Sequence, residues 1–157
     1  MLTQTQSVID SPPDNPAFAA RTRARYVPKR APYRVLVVDD EPLIRWSCAE
    51  TLGASGFRVI EVDNGEAAMF ALADPAGAAD VVLLDLILPD FRDLSLLDVL
   101  HHLAPSVPII VMTAFATPDI CARARQLGAF TVVSKPFDMN ELSALVRRAL
   151  RTGPPTV

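Results

Sequence analysis

Four short apolar runs in this chain lead into residues that can do chemistry. Val35-Leu-Val-Val38 runs into Asp39-Asp40-Glu41, Val81-Val-Leu-Leu84 into Asp85, and Ile109-Ile-Val-Met112 into Thr113; the run from Thr131 to Val133 is followed one residue on by Lys135-Pro136. An Asp or Thr in such a place is ordinarily the cap of the next helix. A lone lysine is ordinarily solvated. Asp85 resists the ordinary reading, because it interrupts Val81 to Leu88, a stretch otherwise apolar throughout. An ionised carboxylate there needs a partner. Lys135 is one of only two lysines in the chain. Three carboxylates, a hydroxyl and an ammonium therefore stand at the ends of four runs. Two carboxylates about 4 Å apart repel by ~4 kcal/mol at an effective dielectric of about 20. Three cannot stay ionised together without a cation. Mg²⁺ fits, since it takes one or two carboxylates together with phosphate oxygens. With the charge neutralised, Asp85 can attack phosphorus. Lys135 and the Thr113 hydroxyl can hold the other phosphoryl oxygens, which is phosphoryl transfer by positioning and charge neutralisation.

These residues converge only if the runs are neighbouring strands. After Arg34, β-branched runs alternate with helical segments. Strands are predicted at 35–38, 57–62, 81–84, 109–112 and 131–133. Helices are predicted at 41–54 with Asp40 as cap, 64–73, 94–103, from Thr117-Pro118 to a stop at Gly128, and 139–151 with Asp138 as cap. Such alternation implies an α/β fold with a doubly wound, five-stranded parallel sheet. Strands apolar on both faces suit a sheet covered by helices on both sides. Sites in such sheets form beyond the carboxyl ends of the strands, where all the residues named above fall.

The totals bound the rest. A chain of 157 residues, half of them apolar, makes one full-sized domain. Residues 1–33 contain five prolines and no sustained periodicity, the composition of a disordered extension. The folded part is expected at 34–151, with a flexible tail at 152–157. Residues 1–34 hold six basic and two acidic groups, leaving nine basic and sixteen acidic for the remainder. An acidic body of about −7 collects cations and argues against direct DNA binding by the domain itself. Cys48 and Cys121 are far apart, each within an apolar helical pattern, and read as buried small hydrophobes of a reducing compartment. No apolar run reaches the ~20 residues of a membrane span, and the N-terminus does not read as a secretory signal. The expected location is the cytoplasm.

The motifs Val-Leu-Val-Val-Asp39-Asp40-Glu-Pro, Val-Val-Leu-Leu-Asp85-Leu-Ile-Leu-Pro89, Ile-Ile-Val-Met-Thr113-Ala114 and Gly128-Ala129 leading to Lys135-Pro136-Phe137 resemble the receiver domain of bacterial two-component response regulators. Order, spacing and strand context agree from residue 34 to about 151. The resemblance implies a flavodoxin-like (βα)5 fold with strand order 2-1-3-4-5. It implies that Asp85 is the phosphoacceptor. Asp39 and Asp40 are then the metal-binding pair, joined by Asp85 and the backbone carbonyl of Ile87. Thr113 becomes the switch hydroxyl, Lys135 the partner of the phosphoryl group, and Ala114 the small residue that leaves room for the donor. The implied partners are a histidine kinase or phosphotransfer protein and an unknown downstream protein, with a homodimer through the last helix-strand-helix face as a further possibility. The chain is expected to act as a single-domain regulator without being an enzyme in its own right; the alternatives are a fragment of a larger regulator, a phosphate sink or a relay intermediate.

Two positions depart from the family pattern. The turn after Pro89 reads Asp90-Phe-Arg-Asp93 where a glycine is usual, and Val132 stands where Tyr or Phe is usual. Phe130 is expected on the same strand face as Val132, but too far from Thr113 to replace the missing ring. Activation should then rearrange the loop from Thr113 to Thr117 and leave the outer face of the fifth strand little changed. Ile87 and Phe115 are expected to flank the phosphoryl group and hinder attacking water. Trp46 reads as a packing residue, and His101 and His102 as solvated or helix-end residues. Rival functions lack residues they need. A phosphatase of the haloacid-dehalogenase type needs a second Asp where Ile87 stands. A flavin module needs a phosphate loop where Asp39-Asp-Glu-Pro42 would repel phosphate. A nucleotide site needs a glycine-rich loop, which is absent. A pseudo-receiver would have lost one of the five key residues.

Overall fold

The structure is a computed structural model that describes residues 31–155; the disordered extension expected at 1–33 lies almost wholly outside them. In chain order the elements are β1 (Arg34–Val38), α1 (Pro42–Ala54), β2 (Arg58–Val62), α2 (Gly65–Ala73), β3 (Val81–Asp85), α3 (Ser95–Leu103), β4 (Ile109–Thr113), α4 (Pro118–Gln126), β5 (Ala129–Ser134) and α5 (Met139–Thr152). The strands form one parallel sheet in the order β2-β1-β3-β4-β5. β3, the middle strand, is buried along its whole length. The period of two sends Leu36, Val38, Val82, Leu84, Ile109 and Val111 to one face, beneath α2, α3 and α4. Val35, Val37, Val81, Leu83, Ile110 and Met112 go to the other face, beneath α1 and α5. Each such side chain, fully buried, contributes roughly 1.5–3 kcal/mol. The chain direction across the sheet reverses between β1 and β3, so a crevice opens beyond their carboxyl ends.

Local chemistry sets the helix starts. The side chains of Asn64, Thr117 and Asp138 accept from Ala67, Ile120 and Asn140 N–H at 2.8, 3.3 and 2.8 Å. The first helix departs from expectation. Its capping position is Glu41, with no side-chain cap, and Asp40 caps nothing. Pro42 in the first turn removes one donor that would need an acceptor. The Glu41 N–H goes instead to Asp39 Oδ1 at 2.8 Å, which orients that carboxylate.

β5 differs from its period-two reading. Ala129 pairs with Ile109 and Thr131 with Ile110, so Phe130 is an extra residue in the ladder. The bulge places Val132 on the face covered by α2, α3 and α4, and Phe130 in the opposite layer with the Arg148 guanidinium 5.7 Å from its ring. Phe130 thus does not share a face with Val132. Cys48 is buried and Cys121 half-buried, and neither is bonded to the other. Burial, followed by the charge of Asp39, pushes the Cys48 thiol up to about 11, so it behaves as a small hydrophobe. No helix among the described residues is long and apolar enough to cross a membrane.

Candidate functional site

Register brings the chemistry together. Val38 pairs with Leu84, so Asp39 lies beside Asp85 at the ends of adjacent strands. Asp85 pairs with Met112, which puts Thr113 one step further along the next strand. Lys135 N–H donates to the Thr113 carbonyl at 2.8 Å and carries the lysine into the same crevice. The Lys135–Pro136 peptide is cis. Among the described residues, the buried polar or charged side chains are Asp39, Asp85 and Thr113. All three sit here, where the sheet has no apolar reason to bury them.

Lys135 Nζ donates to Asp39 Oδ2 at 2.8 Å and to Asp85 Oδ2 at 3.0 Å, and reaches Glu41 at 3.3 Å. The other Asp85 oxygen accepts from Ile87 N–H at 3.2 Å, so both oxygens of the carboxylate are held. Burial alone would lower the Lys135 pKa; the hydrogen bonds to Asp39 and Asp85 outweigh it and hold the ammonium protonated well above the ordinary lysine range. Burial pushes the Asp39 carboxyl upward, against the opposing pull of Lys135 and the Glu41 N–H. One ammonium therefore partly neutralises a cluster with excess negative charge.

A metal ion fits what remains. Asp39, Asp40 and Asp85 each offer a carboxylate oxygen, and the three oxygens lie within 4.8 Å of one another. Asp40 is exposed and has no bond to Lys135 among the contacts that Nζ makes. An all-oxygen, acidic donor set suits a hard divalent cation.

The family model described as the response regulator receiver domain matches residues 35–147. The chain belongs to this family. The receiver is similar to the DNA-binding transcriptional regulator NtrC of Salmonella typhimurium, 39% identical over 116 residues that cover 74% of this chain and 24% of that protein. It is 36% identical over 118 residues to the regulatory protein AtoC of Escherichia coli, covering 75% of this chain and 25% of AtoC. It thus spans about a quarter of the length of these curated relatives. Among solved structures, a CheY-like receiver domain protein from Methanospirillum hungatei superposes with a TM-score of 0.71 at 25% identity, covering 77% of this chain and 95% of that one. NtrX from Brucella abortus superposes with a TM-score of 0.70 at 30% identity, covering 77% and 27%.

The remaining expected site residues lie on the loops after β3 and β4 and on β5. Ala114 and Phe115 are exposed on the loop after β4, and Ile87 is exposed on the loop after β3. Thr113 Oγ1 accepts from Phe115 N–H at 3.0 Å. Val132 is half-buried, away from any aromatic side chain of its own strand face. The missing turn glycine has a replacement device. Both Asp90 oxygens accept from the first turn of α2, from Gly65 and Glu66 N–H at 2.9 Å each. The loop after β3 is thereby clamped to α2, and the Phe91 ring fills the space that a Cβ on Gly65 would need.

Four other side chains differ from the sequence reading or escaped it. Trp46 is 58% exposed and does not pack into the core. His101 is half-buried, its ring against Gly128, whereas His102 is exposed as expected. Glu41 joins Lys135, and Arg45 donates to the Asp39 carbonyl at 2.6 Å. Glu41 was visible only as a neighbour of the acidic pair. Arg45 lies one turn into α1, and nothing in its spacing pointed to the site.

Proposed function

We propose that this receiver accepts a phosphoryl group on Asp85 from a phosphohistidine of a kinase or phosphotransfer protein, and signals by changing which partner it binds. The observation that carries the reading is the buried pair Asp39 and Asp85 bridged by a protonated Lys135 beside a buried Thr113 hydroxyl. An Asp85 oxygen attacks phosphorus, the P–N bond breaks, and the electron pair leaves on the donor's imidazole nitrogen. The product is an acyl phosphate. Water later attacks phosphorus, the acyl O–P bond breaks, and Asp85 returns as a carboxylate with release of phosphate. Lys135 is within reach to turn from Asp85 to a phosphoryl oxygen, and Thr113 supplies a hydroxyl donor to another. Asp39, Asp40, Asp85 and the Ile87 carbonyl would hold Mg²⁺, which when bound neutralises the charge on the phosphoryl oxygens. The chain's chemistry is thus acceptance and slow self-hydrolysis, with no other substrate turned over. The family points to the cytoplasm as its compartment.

The experiment is intact-mass measurement after incubation with acetyl phosphate and Mg²⁺. Wild type gains one phosphoryl group and Asp85→Asn gains none. Equal uptake by the two proteins would remove Asp85 from the reaction. A second arrangement, in which this receiver governs further parts of a larger regulator, is favoured by the quarter-length match to NtrC and AtoC. The phosphoryl chemistry is the same in both arrangements.

A further inference from the structure

Phe115 presents an aromatic ring to solvent, 65% exposed, although an apolar cleft lies beside it. The cleft encloses about 650 Å³ between the β3–α3 loop, α3 and α4; Leu86, Ile120, Leu127 and Phe115 are among its apolar lining, and charged side chains including Asp98 and Arg123 line it as well. An exposed ring next to an unfilled apolar cleft is an unfavourable arrangement unless its backbone is held. It is held here by the Thr113 hydroxyl, which accepts from Phe115 N–H. Thr113 is fully buried, so the acceptor of that bond is fixed by the packing around it. The chain of bonds continues. The Phe115 carbonyl accepts from Thr117 N–H at 2.9 Å, and the Thr117 hydroxyl caps α4 through Ile120 N–H.

We propose that Phe115 is the phosphorylation-sensing aromatic of this receiver, and that its ring folds into the cleft between α3 and α4 when Thr113 turns toward a phosphoryl group on Asp85. The inference rests on the reading of Asp85 and Thr113 given above. Threonine χ1 is confined to a few staggered wells. A turn that aims the hydroxyl at Asp85 therefore carries the oxygen off the line of the Phe115 N–H. The freed loop takes the position with more apolar surface covered. Because Phe115 is bonded to Thr117, and Thr117 caps α4, the ring's movement shifts the start of α4. Val132 leaves no ring on β5 to do this, and the bulge sends Phe130 to the opposite side of the sheet.

The test places 4-fluorophenylalanine at position 115 and follows its ¹⁹F resonance with and without beryllofluoride and Mg²⁺. Broadening by a dissolved gadolinium chelate reports the ring's exposure. Activation shifts the resonance and reduces the broadening. If the amides of Asp85 and Thr113 respond to beryllofluoride while the ring stays equally exposed, the gate is wrong and the phosphoacceptor reading stands. If those amides do not respond, the phosphoacceptor reading fails and the gate with it. Thr113→Val separates the tether from the ligand: it removes the acceptor of the Phe115 N–H, so the ring is partly protected without beryllofluoride. Unchanged exposure in that variant overturns the tether. Phe115→Ala loads beryllofluoride but shows smaller activation shifts at the Ile120 amide; shifts as large as in wild type overturn the coupling to α4.

Discussion

At the scale of single residues, burial is what makes the site legible. A carboxylate inside an apolar run carries a penalty that only a partner removes, so Asp85 stands out in the sequence itself. The fold supplies that partner in Lys135. The same logic could not find Asp90, which is exposed and reads as an ordinary turn residue. Its role depends on where α2 lies, and that is a property of the packed sheet. Asp90 leads to a pH effect. Desolvation works to raise its pKa, but the N–H donors of Gly65 and Glu66 win and hold the carboxyl below its ordinary range. A folded-state pKa below the unfolded value contributes stability that is present above the unfolded pKa and lost as pH falls through the folded one. We expect Asp90→Asn to be less stable than wild type at neutral pH, with the difference shrinking on the acid side of the ordinary value of 3.8. Urea unfolding across that range measures it. A difference independent of pH would mean that the Asp90 charge is not what anchors the loop.

Among the elements, the alternation of short β-branched runs with helical segments was enough for the number and type of all ten. The runs at 35–38, 81–84 and 109–112, four apolar residues each, suit buried parallel strands, while the second and fifth strands were read from shorter β-branched stretches. The strand order was not readable from spacing; it came with the family resemblance. The β5 bulge was not readable either. One extra residue exchanges the faces of everything beyond it, and Gly128-Ala-Phe-Thr131 carries no local mark of an insertion. Gly128 shows how tightly this corner is built. Its φ is +94°, and a Cβ there would lie 2.7 Å from the His101 ring of α3. Gly128→Ala should therefore lose about 1–3 kcal/mol from backbone strain alone, with the collision adding to it. His101→Ala in the same background should recover the part due to the collision, as read by urea unfolding. α1 offers a different expectation. Leu43 and Trp46 are 73% and 58% exposed, one turn apart on the helix that begins directly after the acidic residues. We expect a protein that delivers phosphoryl to Asp85 to dock against this exposed face of α1. Trp46→Ala should slow phosphotransfer from a phosphorylated protein donor and leave labelling by acetyl phosphate unchanged. Equal slowing of both would place Trp46 in the chemistry itself.

Across the whole molecule, the site is the concentrated part of a wider charge imbalance. Residues 35–157 hold sixteen acidic and nine basic groups, and three of the acids converge on one crevice with a single half-buried ammonium between two of them. Divalent cations can then act in two ways. They can screen the acidic body generally, or bind the folded crevice specifically. Specific binding stabilises by mass action, about 2.7 kcal/mol at a hundredfold excess over Kd, and requires the assembled ligands. General screening requires only charge. Asp40 separates the two, because it is exposed, outside the Lys135 network and part of the carboxylate cluster. Its removal relieves repulsion within the site. We expect Asp40→Ala to be as stable as wild type or more so without divalent ions. Mg²⁺ should raise the Tm of wild type, EDTA should reverse the rise, and Asp40→Ala should show little of it. Sodium at matched ionic strength sets the screening baseline. The exposed Trp46 gives the same titration a fluorescence readout. If Mg²⁺ raises the Tm of Asp40→Ala as much as that of wild type, the ion is answering the acidic surface as a whole, and Asp40 is no ligand.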